Sequence, residues 1–287
     1  MTRRYCLFLL LVFPLFAVAD KTKPTWKGPD RSVYVVTQNH YAEGFTPKGD
    51  TAKFSDLIAI EIFNPRGPKA EESLIYKVGE RIALFVGGQR QGDVRIKKVV
   101  PLQCDSSAAL VSTDPSLHLP KDTMALASNS DGIRPHPNTQ HQASEVESNY
   151  ARQLAGDEFR KHAVPATLVK NIKVDKLVVT KLDSTDSEFL VGSLSLVTKS
   201  ARYDVFLIAK IVESSATAEF ARYHKTSDLE DGTDSEDVRF VDQLDLDGDG
   251  FDEVVVEVTG YENEEFAIYH RSNDSWSQVH LGGQGGC

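Results

Sequence analysis

Alternation of apolar and polar residues dominates the first half of the chain. Ile58, Ile60 and Ile62 alternate with a small or a charged residue, which is the two-residue period of a strand that buries one face. Similar runs predict strands at residues 32–37, 57–63, 81–86, 94–100 and 109–112. The glycine-rich segment 87–92 predicts a hairpin turn between two of them. The pattern therefore predicts an antiparallel sandwich or a partly closed barrel within residues 20–127.

Residues 128–143 lack apolar periodicity and contain Gly, Asn, Ser and two prolines, which is typical of a linker between domains. His136 and His141 in this segment, and His118 before it, are candidate metal ligands by residue type. A solvated linker offers nothing that would fix their rings in place. We therefore predict that these histidines are solvated and bind no metal.

One amphipathic helix is predicted at residues 144–164. Ser144 and Glu147 form the capping-box pattern of a helix start, and Pro165 ends the helical pattern. Apolar side chains recur at intervals of roughly four residues, at Val146, Tyr150, Leu154 and Phe159. We expect this stripe to pack on the second half of the chain.

The pattern in residues 165–287 indicates a duplicated β-hairpin domain. Strand patterns occur in the first copy at 178–183, 188–191 and 203–208, and in the second at 240–245, 253–256 and 266–269. Each copy has a Leu-Asp pair before its first turn, and the two pairs lie 62 residues apart. The first copy lacks the turn glycines of the second, so we expect it to keep the hairpins without a metal.

The turn of the second copy, DLDGDGFDE at residues 245–253, has the clearest chemical pattern in the chain. Acids occupy its first, third, fifth and ninth positions, namely Asp245, Asp247, Asp249 and Glu253. In a tightly wound loop this spacing turns several carboxylates towards one point, and Phe251 at the seventh position offers its backbone carbonyl. Hard oxygen donors without Cys or His suit Ca²⁺ better than Mg²⁺, zinc or copper. We therefore predict that the loop binds Ca²⁺.

Two other interpretations of this loop are an EF-hand and an acidic turn that binds nothing. An EF-hand needs a bidentate Glu at its twelfth position and two flanking helices, whereas this chain has Val256 there and strand formers beside the loop. These differences argue against the EF-hand. The empty acidic turn stays open as an alternative, although four acids at ligand spacing favour a cation.

The run Asp-x-Asp-Gly-Asp-Gly-x-x-Glu before a Val-rich strand resembles the calcium loops of FG-GAP and VCBS-type repeats. Such repeats form the blades of integrin-alpha-like β-propellers and occur in many exported bacterial proteins. The resemblance covers residues 236–281, and 176–212 as a degenerate copy. It implies that the four loop acids are side-chain ligands and that Phe251 is the backbone ligand.

The chain also departs from that family. The Phe-Gly and Gly-Ala-Pro elements of a full FG-GAP repeat are missing. Two copies are too few to close a propeller ring, which takes at least about four blades. We therefore expect a C-terminal β-hairpin repeat domain ordered by calcium and not a complete propeller.

The first 19 residues have the pattern of a secretion signal. Two arginines precede an apolar run at 5–18, and an A-x-A pattern precedes the expected cleavage between Ala19 and Asp20. The pattern predicts a signal peptide at residues 1–19 and a periplasmic or extracellular protein. No later stretch is apolar for long enough to span a membrane.

The charge of the chain disfavours nucleic acid as a partner. Loss of the two signal-peptide arginines from 32 basic side chains leaves 30 against 42 acidic ones, a net charge of −12. A chain this acidic repels phosphate backbones and suits a soluble exported protein that holds cations.

Cys104 and Cys287 are the two cysteines that stay in the chain after cleavage. In an oxidising compartment we expect them to form a disulfide. Closing a loop of about 180 residues would contribute about 4 to 5 kcal/mol in the chain-entropy description. Two free or separately capped thiols are the alternative.

No catalytic signature accompanies the loop. The chain has no G-x-S-x-G, S-x-x-K or H-E-x-x-H motif, no phosphate loop and no dinucleotide fingerprint. The leading hypothesis is an exported, non-catalytic calcium-binding β protein that binds an unknown protein or glycan of the cell envelope. The alternative is a secreted hydrolase of glycans or peptides in which calcium is structural.

Overall fold

The computed structural model describes residues 26–38, 56–67, 75–102, 106–114, 117, 119, 123–137 and 139–285. The predicted signal peptide with its cleavage point at Ala19 and Asp20, and the predicted disulfide between Cys104 and Cys287, lie outside the described residues. Within them the chain is mainly β, so the predicted fold class is confirmed. None of the helices in these segments has the length and apolar character that crossing a membrane requires.

Six antiparallel strands close into a barrel in the first half of the chain. They are β1 Val33–Gln38, β2 Leu57–Phe63, β3 Arg81–Val86, β4 Gln89–Pro101, β5 Ser107–Thr113 and β6 Ala125–Ser128. Their order is β1-β2-β5-β4-β3-β6, and pairing of β1 with β6 completes the ring. Every strand contributes to the apolar interior, which includes Tyr34, Ala59, Ile82, Ile96, Ala109 and Ala127. The barrel is therefore fully closed, whereas the sequence pattern predicted a sandwich or a partly closed barrel.

The predicted helix is α1, Glu145–Lys161. Its capping box is confirmed, because the Ser144 N–H donates to Glu147 Oε2 at 2.7 Å and the Glu147 N–H donates to Ser144 Oγ at 3.4 Å. The buried stripe contains Ser148, Ala151, Ala155 and Phe159. Val146, which we expected in the stripe, is 59% exposed, because Ser148 is the first residue of the helix on the buried face.

Two antiparallel sheets contain the remaining strands. One has the order β11-β10-β9-β8-β7, with β7 His141–Gln142, β8 Lys173–Thr180, β9 Phe189–Val197, β10 Arg202–Val212 and β11 Ser215–Thr226. The other has the order β12-β13-β14-β15, with β12 Glu236–Leu244, β13 Glu253–Gly260, β14 Glu264–Ser272 and β15 Ser275–Gly285. The first predicted copy falls within the meander β8 to β11, and the second falls within the meander β12 to β15. Strands β6, β7 and β11 and the single-turn helix α2, Ala166–Val169, were not predicted.

These elements pack as four layers: α1, the five-stranded sheet, the four-stranded sheet and the barrel. Phe159 of α1 packs with Leu190 and Leu207 on the outer face of the five-stranded sheet. The inner face of the five-stranded sheet packs against the four-stranded sheet through residues that include Phe189, Phe206, Val254 and Tyr269. The burial of apolar side chains at each interface holds the layers together.

The four-stranded sheet is buried on both faces. Val254 and Val256 face the five-stranded sheet, whereas Val255 faces the barrel strand that carries Ile58 and Ile60. A strand covered on both sides has no polar face, which explains the unbroken run of valines after the acidic loop. The loop therefore starts a strand at the centre of the molecule.

Candidate metal centre

The acidic loop connects β12 to β13, and its glycines give it a tight path. Gly248 and Gly250 have φ angles of +79° and +92°, in the left-handed region that favours glycine. A Cβ at Gly248 would also lie 2.8 Å from the carbonyl oxygen of Gly132, so the linker passes directly against the loop. The sequence therefore needs glycine here both for the turn and for the close approach.

Backbone N–H groups within the loop hold the three aspartates. Asp245 Oδ1 accepts from Gly248 N at 2.7 Å, and its Oδ2 accepts from Gly250 N at 3.1 Å. Asp247 Oδ1 accepts from Asp249 N at 3.1 Å, and Asp249 Oδ1 accepts from Phe251 N at 2.8 Å. These bonds fix the side chains at alternate positions and leave further lone pairs on each carboxylate for another ligand.

Two groups of possible ligands meet at this loop. One carboxylate oxygen from each of Asp245, Asp247 and Glu253 lies within 4.8 Å of the others. Asp247 also belongs to a second group, in which oxygens of Asp247 and Asp249 lie within 4.8 Å of each other and of a ring nitrogen of His270. The structure thus brings three of the four predicted side-chain ligands together, and it places the fourth, Asp249, beside Asp247 and a histidine from β14.

Two of the three members of the first group are deeply buried. Asp245 is 2% exposed and Glu253 is 0% exposed. Burial raises the pKa of Asp245 to about 6 and the pKa of Glu253 to about 8, because a carboxylate without water loses its solvation. Burial likewise raises the pKa of Asp247. A cation among these carboxylates would offset this cost, because opposite charge favours the ionised form.

Glu253 is held at both oxygens. Its Oε2 accepts from Leu246 N at 2.7 Å, and its Oε1 lies 2.7 Å from Nδ1 of His270. This hydrogen bond raises the pKa of His270. The two contacts orient a fully buried carboxyl group towards the loop interior, which is what a ligand at the ninth position requires.

The side chain of Phe251 anchors the loop between the two sheets. Its ring packs edge-on against Phe189 and Trp276, with centroids 5.8 Å and 5.6 Å away, and the Arg271 guanidinium lies 4.7 Å from its centroid. Its backbone bridges to Asp183, in the corresponding turn of the first copy. The two turns are therefore neighbours, and the carbonyl of Phe251 stays a predicted ligand.

Asp252 connects the loop to the linker. Its Oδ2 lies 2.5 Å from Nε2 of His136 and accepts from Gln243 Nε2 at 3.1 Å, and the residue is 1% exposed. The bond to Asp252 raises the pKa of His136. Our expectation that His136 is solvated was therefore wrong, because the fold places a buried carboxylate opposite its ring. His141, in contrast, is exposed.

Asp242 makes a further connection, from β12 to the barrel. The N–H of Gly87, in the turn between β3 and β4, lies 2.9 Å and 3.0 Å from its two carboxylate oxygens, and Gln243 N donates to Oδ1 at 2.9 Å. Burial raises the pKa of Asp242 to about 7. The barrel turn and the acidic loop are thus tied to the same end of β12.

The raised pKa of Asp242 predicts a loss of stability with rising pH. Its folded pKa of about 7 exceeds the unfolded value of 3.8, so its contribution is complete below the lower value and is lost as pH rises through the higher one. We therefore expect the free energy of unfolding of Asp242→Asn, relative to that of the wild type, to rise by about 2 kcal/mol between about pH 4 and pH 8. The reason is that Asn keeps one acceptor and cannot ionise.

Urea unfolding in EDTA across this pH range measures the difference. Asp231→Asn is the matched control, because Asp231 is exposed and we expect its difference from wild type to stay flat. A flat difference for Asp242→Asn would contradict the prediction.

The contacts of three residues at this site were not predicted from the sequence: His270, His136 and Asp252, which is the eighth residue of the loop. His270 lies opposite Glu253 because the β13–β14 hairpin pairs Val254 with Tyr269. The sequence indicates this contact only through the register of the hairpin: if Val254 pairs with Tyr269, then Glu253 lies opposite His270. His136 has no such signal, since its contact with Asp252 spans 116 residues.

Comparison with known proteins adds no further assignment. No protein-family model matches this chain, and no curated protein and no solved structure shows significant similarity to it. The function of the centre is therefore inferred from its own geometry and chemistry.

Proposed function

We propose that this chain is an exported, non-catalytic calcium-binding β protein in which Ca²⁺ orders the loop at residues 245–253. The observation that carries the proposal is the convergence of oxygens from Asp245, Asp247 and Glu253 within 4.8 Å of one another, and two of these three residues are almost fully buried. Carboxylates gathered without water repel each other, and a hard divalent cation relieves that repulsion.

A structural role for the ion follows from where the loop lies. It touches the turn of the first copy through Phe251, the linker through Asp252, and it adjoins the strand end whose Asp242 contacts the barrel. An ion that fixes the loop would therefore fix the joint between three parts of the chain. Its ligand shell uses several carboxylates, which leaves little Lewis acidity for a substrate.

The proposal includes a place and a class of partner. The signal-like start of the chain, its acidic charge and the likeness of the loop to FG-GAP and VCBS-type repeats support a periplasmic or extracellular protein that interacts with a protein or glycan of the envelope. The alternative of a secreted hydrolase stays a hypothesis, because no specific observation favours it.

Calorimetric titration with Ca²⁺ tests the proposal. We expect one ion per chain, tighter binding than for Mg²⁺, and an affinity at least about tenfold lower in Asp247→Asn, which loses a ligand charge without losing volume. Calcium at about 100 times its dissociation constant should stabilise the wild type by about 2.7 kcal/mol. Asp231→Asn, an exposed acid outside the loop, should bind as the wild type does.

The titration has two outcomes that contradict the proposal. One is the absence of a calcium-dependent heat or melting shift in the folded wild type. The other is equal affinity in wild type and Asp247→Asn, which would put the ion somewhere else.

A further inference from the structure

His270 is held as a metal-binding histidine is held. Its side chain is 9% exposed, and its Nδ1 lies 2.7 Å from Oε1 of Glu253, whose side chain is 0% exposed. Histidines that bind metals generally donate their other ring N–H to a carboxylate or carbonyl, which fixes the tautomer and the orientation of the ring. Glu253 provides that partner here.

The second ring nitrogen of His270 is then available to a ligand. With the proton on Nδ1, Nε2 carries the lone pair that a metal needs. Within the described part of the chain Nε2 makes no hydrogen bond, although the side chain is about nine-tenths buried. His270 also lines a cavity of about 420 Å³, whose wall includes Asp247, Asp249, Trp26 and Lys27. His270 and the two aspartates therefore line one opening, and Nδ1 of His270 lies 4.0 Å from Asp247 Oδ2.

The donor set differs from that of the buried calcium position. One ring nitrogen of His270 and one oxygen each of Asp247 and Asp249 lie within 4.8 Å of one another. Imidazole nitrogen is a borderline donor that suits Zn²⁺ and other late first-row ions, whereas Ca²⁺ takes oxygen ligands almost exclusively. Three protein ligands beside a cavity leave a coordination position for water or another small ligand.

We infer that Asp247, Asp249 and His270 form a second cation position, which adjoins the calcium position, shares Asp247 with it, and takes a transition metal ion of the Zn²⁺ class. The inference goes beyond the proposed function, because its donor set selects another metal and faces the cavity. Bridging by a carboxylate is common where two cations lie about 4 Å apart. Asp247 is the residue that belongs to both groups.

Titration with Zn²⁺, with and without excess Ca²⁺, tests the inference by calorimetry. We expect the wild type to bind one Zn²⁺ in both conditions. His270→Gln should weaken Zn²⁺ binding at least about tenfold and change Ca²⁺ affinity by less than about threefold, because the Gln amide can still donate to Glu253. His141→Gln, an exposed histidine of the linker, should leave both affinities unchanged.

Asp249→Asn is a second variant for the case that His270→Gln does not fold. Its side chain is exposed and the amide oxygen still accepts from Phe251 N, so the fold should survive while Zn²⁺ binding falls at least about tenfold. Co²⁺ in place of Zn²⁺ adds a visible spectrum, which should change in His270→Gln because a nitrogen ligand is lost.

Titrations with two different metal ions distinguish a failure of this inference from a failure of the proposed function. Zn²⁺ binding that depends on His270 supports the second position even if no Ca²⁺ binds. A folded wild type that binds no Zn²⁺, or a His270→Gln variant that binds it as tightly as the wild type, overturns the inference whether or not Ca²⁺ binds.

Discussion

Replacement of Glu253 by alanine is expected to destabilise the protein by about 3 to 5 kcal/mol, even without a metal ion. The carboxyl group is 0% exposed and pairs with both Leu246 N and His270 Nδ1. Its removal leaves two buried donors without a partner and opens a cavity beside Val255 and Ile268, which pack in the core between the sheet and the barrel. These costs add, so this is the largest effect we expect from a single change in the loop.

Urea unfolding in EDTA, followed by the fluorescence of the two tryptophans, measures this loss. Glu253→Gln is the matched control, because its amide oxygen and similar volume keep one acceptor and fill the site. We expect it to cost less than about 2 kcal/mol. Both variants should lose most of the stabilisation that Ca²⁺ gives the wild type. An alanine variant within about 1 kcal/mol of the wild type would show that the loop tolerates these unpaired donors.

The sequence predicted most of the strands because short runs of apolar and β-branched residues lie between turn residues, a pattern shared by strands that bury one face and strands that bury both. Ile58, Ile60 and Ile62 alternate with less apolar residues, and β2 has the bounds that this alternation indicates. Closure of the barrel was not predictable, because it depends on pairing between Val33–Gln38 and Ala125–Ser128, which lie far apart in the chain. In α1, small residues such as Ala151 form the stripe, and apolar periodicity alone pointed to Val146 instead.

The same contrast between local and distant information applies to the candidate site. Spacing within residues 245–253 is local, so four acids could be grouped from the sequence. His270 joins them only through the register of a hairpin, with Val254 opposite Tyr269. His136 joins through a contact between distant segments, and the composition of its surroundings suggested solvent. Both missed histidines contact acids of the loop, and neither contact follows from the residue spacing within the loop.

Asp252→Ala is the second substitution for which we expect a large effect, a loss of about 3 kcal/mol in the free energy of unfolding. The side chain is 1% exposed and contacts His136 Nε2 and Gln243 Nε2. His136→Ala should cost less, about 1 to 2 kcal/mol, because its side chain is 24% exposed and solvent can replace part of the contact. His141→Ala, an exposed histidine of the same linker, should change stability by less than about 0.5 kcal/mol.

A double-mutant cycle between His136 and Asp252 measures what the pair itself contributes. We expect a coupling of about 1.5 to 3 kcal/mol, because the two groups are in direct contact and one of them is buried. Asp252 lies between Phe251 and Glu253, so this contact holds the linker to the backbone of the loop that carries the proposed ligands. A coupling near zero would mean that the contact between His136 and Asp252 does not hold the linker to the loop. A strong coupling would mean that this contact ties the linker to the loop, so that the linker and the proposed ion both hold the same stretch of backbone.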